Sequence, residues 1–76
     1  MEKAVFKRYE NGYYTFGIEN GEDLVFEEIN PRVLQHYDLK TDKTLIGETF
    51  EISYTERYED DEDDLLVYRI EALKCL

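Results

Sequence analysis

A chain of 76 residues has room for one domain, 1–76, and such a short chain buries only about 60% of the surface its unfolded form exposes. Its 42% hydrophobic content, with seven Tyr and four Phe, excludes the disordered class, in which high net charge accompanies few aromatics. The net charge of −10 is unevenly spread, because residues 56–64 alone carry seven acids and one Arg.

Lys3–Tyr9 favours a strand, and Asn11-Gly12 behind it accepts the two positive φ angles of a type I′ turn at low steric cost. Tyr13–Ile18 reads as a second strand with Tyr14, Phe16 and Ile18 on one face, and Gly17 inside it signals a bend or bulge. Asn20-Gly21 repeats the turn signal. Asp23–Glu27 follows as a third strand, with Leu24 and Phe26 on one face and Val25 opposite. The three form an antiparallel meander whose register the turns fix.

Asn30-Pro31 places a good N-cap before a proline at the first helical position. Val33, Leu34 and Tyr37 give a short apolar stripe, so the spacing predicts a helix over 31–38. Two turns of helix are unstable alone and must dock on the sheet. Residues 39–47 read as a polar connection. From Glu48, Phe50, Ile52 and Tyr54 alternate with Glu51, Ser53 and Thr55, the period of a half-buried fourth strand. Residues 57–64 read as an acidic loop. The last strand runs from 65 to 73, with Leu66, Tyr68 and Ile70 on one face and Val67 and Arg69 on the other.

Three strands, a short helix and two more strands resemble the OB-fold, a five-stranded Greek-key barrel with its helix between strands three and four. The expected class is therefore mainly β, an OB-like barrel. The resemblance implies ligands such as nucleic acids or sugars, held by one sheet face and by the loops after strands one and four. Here the first of those loops is the minimal Glu10-Asn11-Gly12 and the second, with six acids and one Arg, has a charge of −5, which argues against nucleic acid.

Glu59, Asp60, Asp61, Glu62, Asp63 and Asp64 are the candidate docking loop for a basic protein partner. Weak Ca²⁺ binding is an alternative, although the glycine and the later Glu of an EF-hand loop are missing. The plain reading is a solvated loop that aids solubility. Tyr13, Tyr14 and Tyr54, with Tyr9, Tyr58 and Tyr68, are a candidate aromatic face for single-stranded nucleic acid, at ~1–3 kcal/mol per stacked base. Such a face needs a positive groove, yet Lys3, Lys7, Arg8 and Arg69 sit among Glu2, Glu10 and Glu71. Tyr is also a preferred strand residue that packs its ring and wets its hydroxyl.

His36, Cys75 and Ser53 are the only residues of their types, so no nucleophile, base and orienting group can be assembled. No enzyme, metal site or cofactor is expected. One cysteine precludes an internal disulfide and points to a reducing compartment. No run approaches the ~18 apolar residues of a membrane span, and the charged N-terminus does not read as a signal peptide. The expectation is a cytoplasmic, non-catalytic accessory module, monomeric or weakly dimeric.

Overall fold

The computed structural model describes residues 2–58 and 66–76. Six strands are present: β1 (Glu2–Glu10), β2 (Tyr13–Ile18), β3 (Asp23–Phe26), β4 (Glu28–Ile29), β5 (Thr49–Tyr58) and β6 (Leu66–Cys75). Helix α1 (Pro31–His36) and a 3-10 turn (Lys43–Leu45) lie between β4 and β5. The strands form one mixed sheet in the order β3-β2-β1-β5-β6-β4. All pairings are antiparallel except β4 with β6. The class is mainly β with one short helix.

The expected five strands become six because the third run breaks at Glu27. Its N–H leaves the β2 side and donates to the Tyr68 carbonyl at 3.2 Å. Leu24 and Phe26 stay paired with β2, whereas Glu28 and Ile29 pair with Arg69 and Ile70 of β6. The sheet is not closed into a barrel by a continuous ladder. It curls enough to bring the Phe26 and Tyr68 rings within 6.1 Å.

The first turn has positive φ at Asn11 (53°) and Gly12 (85°), as a type I′ hairpin requires. The second does not, because only Gly21 is positive there. It is instead closed by Gly21 N–H donating to the Ile18 carbonyl, while the Asn20 side chain accepts from Glu22 N–H. An Asn side chain that bonds its own backbone two residues on offers an alternative to left-handed φ.

Two bulges shift the inward phase of the strands. Phe6 faces Phe16 but Arg8 faces Thr15, so Lys7 is extra on β1. Ser53 faces Ala72 but Tyr54 faces Ile70, so Glu71 is extra on β6. Phe6 and Tyr9, three apart, therefore both meet the core, as do Ile70 and Leu73. The kink suggested by Gly17 falls on the opposite strand.

The core is aromatic. Phe6, Phe16, Phe26, Phe50, Ile52 and Ile70 are fully buried, each stabilising the fold by ~1.5–3 kcal/mol relative to exposure. Helix α1 ends at His36 rather than 38, with Asn30 Oδ1 accepting from Arg32 N–H at its start. It docks through buried Val33 and through Tyr37, whose ring meets Phe50 edge-on at 5.3 Å. The Tyr37 hydroxyl accepts from Cys75 N–H at 3.1 Å. The 39–47 connection is less polar than expected, since Leu39 is buried and Leu45 packs against the core.

Candidate interaction surface

The β5–β6 hairpin divides into two halves of different character. Phe50 and Ile52 point into the core, where Leu73 and Ile70 meet them, and Tyr54 packs edge-on against Phe26 and Tyr68. Beyond Tyr54 the apolar alternation stops, and Thr55, Glu56, Arg57 and Tyr58 are all exposed. The pairing continues regardless, through Arg57↔Val67 to Tyr58↔Leu66. At this end Tyr58 is 61% and Leu66 38% exposed. Two large apolar side chains thus stand directly across from each other at either end of the 59–65 segment.

Polar contacts brace this arm. Arg57 grips Glu28 with two bonds, Nε to Oε1 at 3.2 Å and Nη2 to Oε2 at 2.6 Å. They reach across β6, tying β5 to β4. The bidentate fit is the stronger form of a carboxylate–guanidinium contact. One step inward, Thr55 Oγ1 donates to Glu71 Oε2 at 2.9 Å and Arg69 Nε lies 3.2 Å from Glu71 Oε1. The Arg57 hydrogen bonds hold the Glu28 carboxyl below its ordinary value. The Thr55 hydroxyl, then Arg69, does the same for Glu71.

The sequence-derived candidates are dispersed. Tyr13 and Tyr14 are neighbours on β2 and face opposite ways: Tyr13 is 41% exposed, whereas Tyr14 is buried against Tyr9 with ring centroids 4.9 Å apart. Burial pushes the Tyr14 hydroxyl's pKa up. Tyr54 sits inside the curl, half-buried, its pKa also raised by burial and then by Glu2. These three tyrosines do not gather on one face. Glu59, Asp60, Asp61, Glu62, Asp63 and Asp64 lie outside the described residues, whereas Arg57 and Tyr58, expected in the loop, are strand.

Leu66, which the alternation groups with Tyr68 and Ile70, is exposed at the end of the hairpin although Ile70 is fully buried. Val67, expected on the opposite face, is buried outside the main cluster. The Arg57–Glu28 clasp was not anticipated, because the two residues are 29 positions apart. Among the described residues no group of three or more His, Cys, Asp or Glu could hold a metal ion. No helix among them is long and apolar enough to cross a membrane. No family model, curated protein or solved structure matches the chain.

Proposed function

We propose that this chain is a non-catalytic, cytoplasmic interaction module that docks on a basic protein partner with the exposed end of its β5–β6 hairpin. The observation that carries this reading is the cross-strand pair Tyr58↔Leu66, exposed on both sides of the acidic run. Tyrosine is a preferred anchor of binding hot spots. Flanking charge steers a complementary partner and fixes its register more than it adds affinity. The acids alone describe a solvated loop; the apolar pair beside them supplies an anchor.

An OB-like barrel is the architecture we propose beneath this arm. Support comes from the order of elements and from the placement of β3 and β4, which are adjacent in sequence but end opposite sides of the sheet order. That arrangement suits a partly open Greek-key barrel.

The test is capture of binding proteins by the wild type, by Tyr58→Ala, and by a variant with residues 59–64 changed to Asn or Gln. Retention of a common basic partner by the wild type, lost in both variants, is the expected result. If both variants retain the same partner as the wild type, the hairpin end is not the docking surface.

A further inference from the structure

The acidic surface is interrupted by a net-basic cleft. Arg8 and Tyr9 from β1 and Lys40, Asp42 and Lys43 from the connection after α1 line it, around a volume of about 80 Å³. Three cations against one carboxylate therefore leave this small recess with an excess of positive charge in a chain of net charge −10. We infer that this cleft is a binding site for a compact oxyanion of the phosphate class.

The carboxylates of the same loop are already engaged. Asp38 accepts from the Thr41 hydroxyl and the Thr41 N–H. Asp42 Oδ1 accepts from Thr44 N–H at 3.0 Å and from Thr44 Oγ1 at 2.6 Å. Among the described residues, no salt bridge ties Lys40 or Lys43 to an acid, although Lys40 lies near enough to Asp38 to help lower its carboxyl pKa. Arg8 forms a loose ion pair with Glu10, Nε to carboxylate oxygen 3.7 Å, longer than a hydrogen bond. The loop thus uses hydrogen bonds to its acids to fold itself and leaves its lysine ammonium groups without a close carboxylate.

The position of the cations is also set. Lys40 Nζ lies 5.9 Å from the centre of the Tyr9 ring, and that ring packs at a tilt against buried Tyr14. An ammonium over an aromatic face is attracted to it while keeping its N–H groups free. Leu39 is buried beneath, and Ile46 is 49% exposed at the rim.

The recess is small, and a compact tetrahedral oxyanion suits it. Backbone N–H groups contribute little, because those of Leu39, Thr41, Asp42 and Thr44 already have acceptors. The side chains of Arg8, Lys40 and Lys43 hold the anion, so binding is weak and sensitive to salt.

Titration of the full chain with inorganic phosphate, followed by amide chemical shifts and compared with chloride at equal ionic strength, tests the site. We expect saturable shifts at residues 8, 9, 40 and 43. Binding should be at least about fivefold weaker in K40Q/K43Q, the scale expected when two exposed charge contacts are lost, and unchanged in K74Q. Should the double variant fold poorly, K43Q alone should still weaken binding. A parallel titration with phenyl phosphate distinguishes the sources: tighter binding than phosphate assigns the site to an ester on a larger molecule that reaches Tyr9 and Ile46, and equal binding assigns it to the free anion. Shifts that fail to saturate, or equal affinity in K40Q/K43Q, K43Q and K74Q, overturn the assignment.

Discussion

Lys7 lies across Gly17: a Cβ added at Gly17 would stand 2.8 Å from Lys7 Cε, on the path by which Lys7 reaches Asp23 at 2.7 Å. The glycine sits between Val5 and Asp23 in the sheet, and its missing Cβ leaves a trough for the lysine stem. The obstructing atom is near the end of a flexible, exposed side chain, so Ala at 17 is accommodated by moving it. That motion removes a surface ion pair worth about 0.2–1 kcal/mol. Ala in place of Gly inside a strand returns about 0.5–1 kcal/mol. The two nearly cancel, and Gly17→Ala should lie within about 0.5 kcal/mol of the wild type by denaturant unfolding. A double-mutant cycle between Lys7 and Asp23 should show coupling in the wild type and none in the Gly17→Ala background. Coupling that survives the substitution means that Lys7 does not use the trough.

Phe16 is the core position with least tolerance. Its ring centre lies 5.2, 5.8 and 6.2 Å from those of Phe6, Phe26 and Phe50, so three other strands meet on it. Phe16→Ala should cost about 3–5 kcal/mol. A domain of this size has about 4–11 kcal/mol in total, so the variant should be partly unfolded at room temperature. Phe16→Leu removes three carbons, about 2 kcal/mol at ~0.8 kcal/mol per methylene, and should stay folded with a lowered midpoint. Equal midpoints for the two variants would contradict a core centred on this ring.

Much of this architecture is local in origin and could be read from the sequence. Asn11-Gly12 encodes its turn, Asn30-Pro31 its helix start, and Phe50, Ile52 and Tyr54 their face of β5. What escaped was long-range. No composition marks Lys7 or Glu71 as extra residues, since a bulge is defined by what the partner strand offers. The parallel pairing of Glu28 and Ile29 with Arg69 and Ile70 joins residues 41 positions apart and is too short to leave a periodic trace. The same holds for the surfaces. Tyr58 looked like part of a loop because its neighbours are charged. Only the pairing with Leu66 makes it one half of an apolar couple. The basic cleft needed the turn at Asp42 to bring Lys40 and Lys43 beside Arg8 and Tyr9.

Acid should act on this chain in two opposing ways. Protonating carboxylates relieves self-repulsion in a molecule of net charge −10, which stabilises it. Glu28 and Glu71 work the other way. Their folded-state values lie below the ordinary one, through Arg57 and through Thr55 with Arg69 respectively. Their contribution is therefore present above the unfolded Glu value of about 4.3 and disappears as pH falls through the lowered folded values. The difference in Tm between the wild type and Glu28→Gln/Glu71→Gln should be positive near neutrality and shrink below about pH 4. A difference that stays constant from neutral to acid pH would mean that neither carboxylate is held by its partners.

Arg57 separates the stiffness of the arm from the stability of the fold. Its clasp on Glu28 is half exposed, so Arg57→Ala should change global stability by no more than about 1 kcal/mol. The core half of the hairpin, from Phe50 to Tyr54, does not depend on it. The outer half has Val67 as its one buried residue among those described, outside the main core cluster, and local opening there is governed by the few bonds that hold it. Amide exchange at Thr55–Tyr58 and at Leu66 should accelerate in Arg57→Ala, while Phe50, Ile52 and Ile70 keep wild-type protection. Capture of the basic partner should weaken even though Tyr58 and the acidic run are intact, because ordering a loosened arm on binding costs affinity. Unchanged exchange at Thr55–Tyr58 would show that the ladder alone holds the arm. Unchanged capture with faster exchange would show that docking does not require a rigid hairpin.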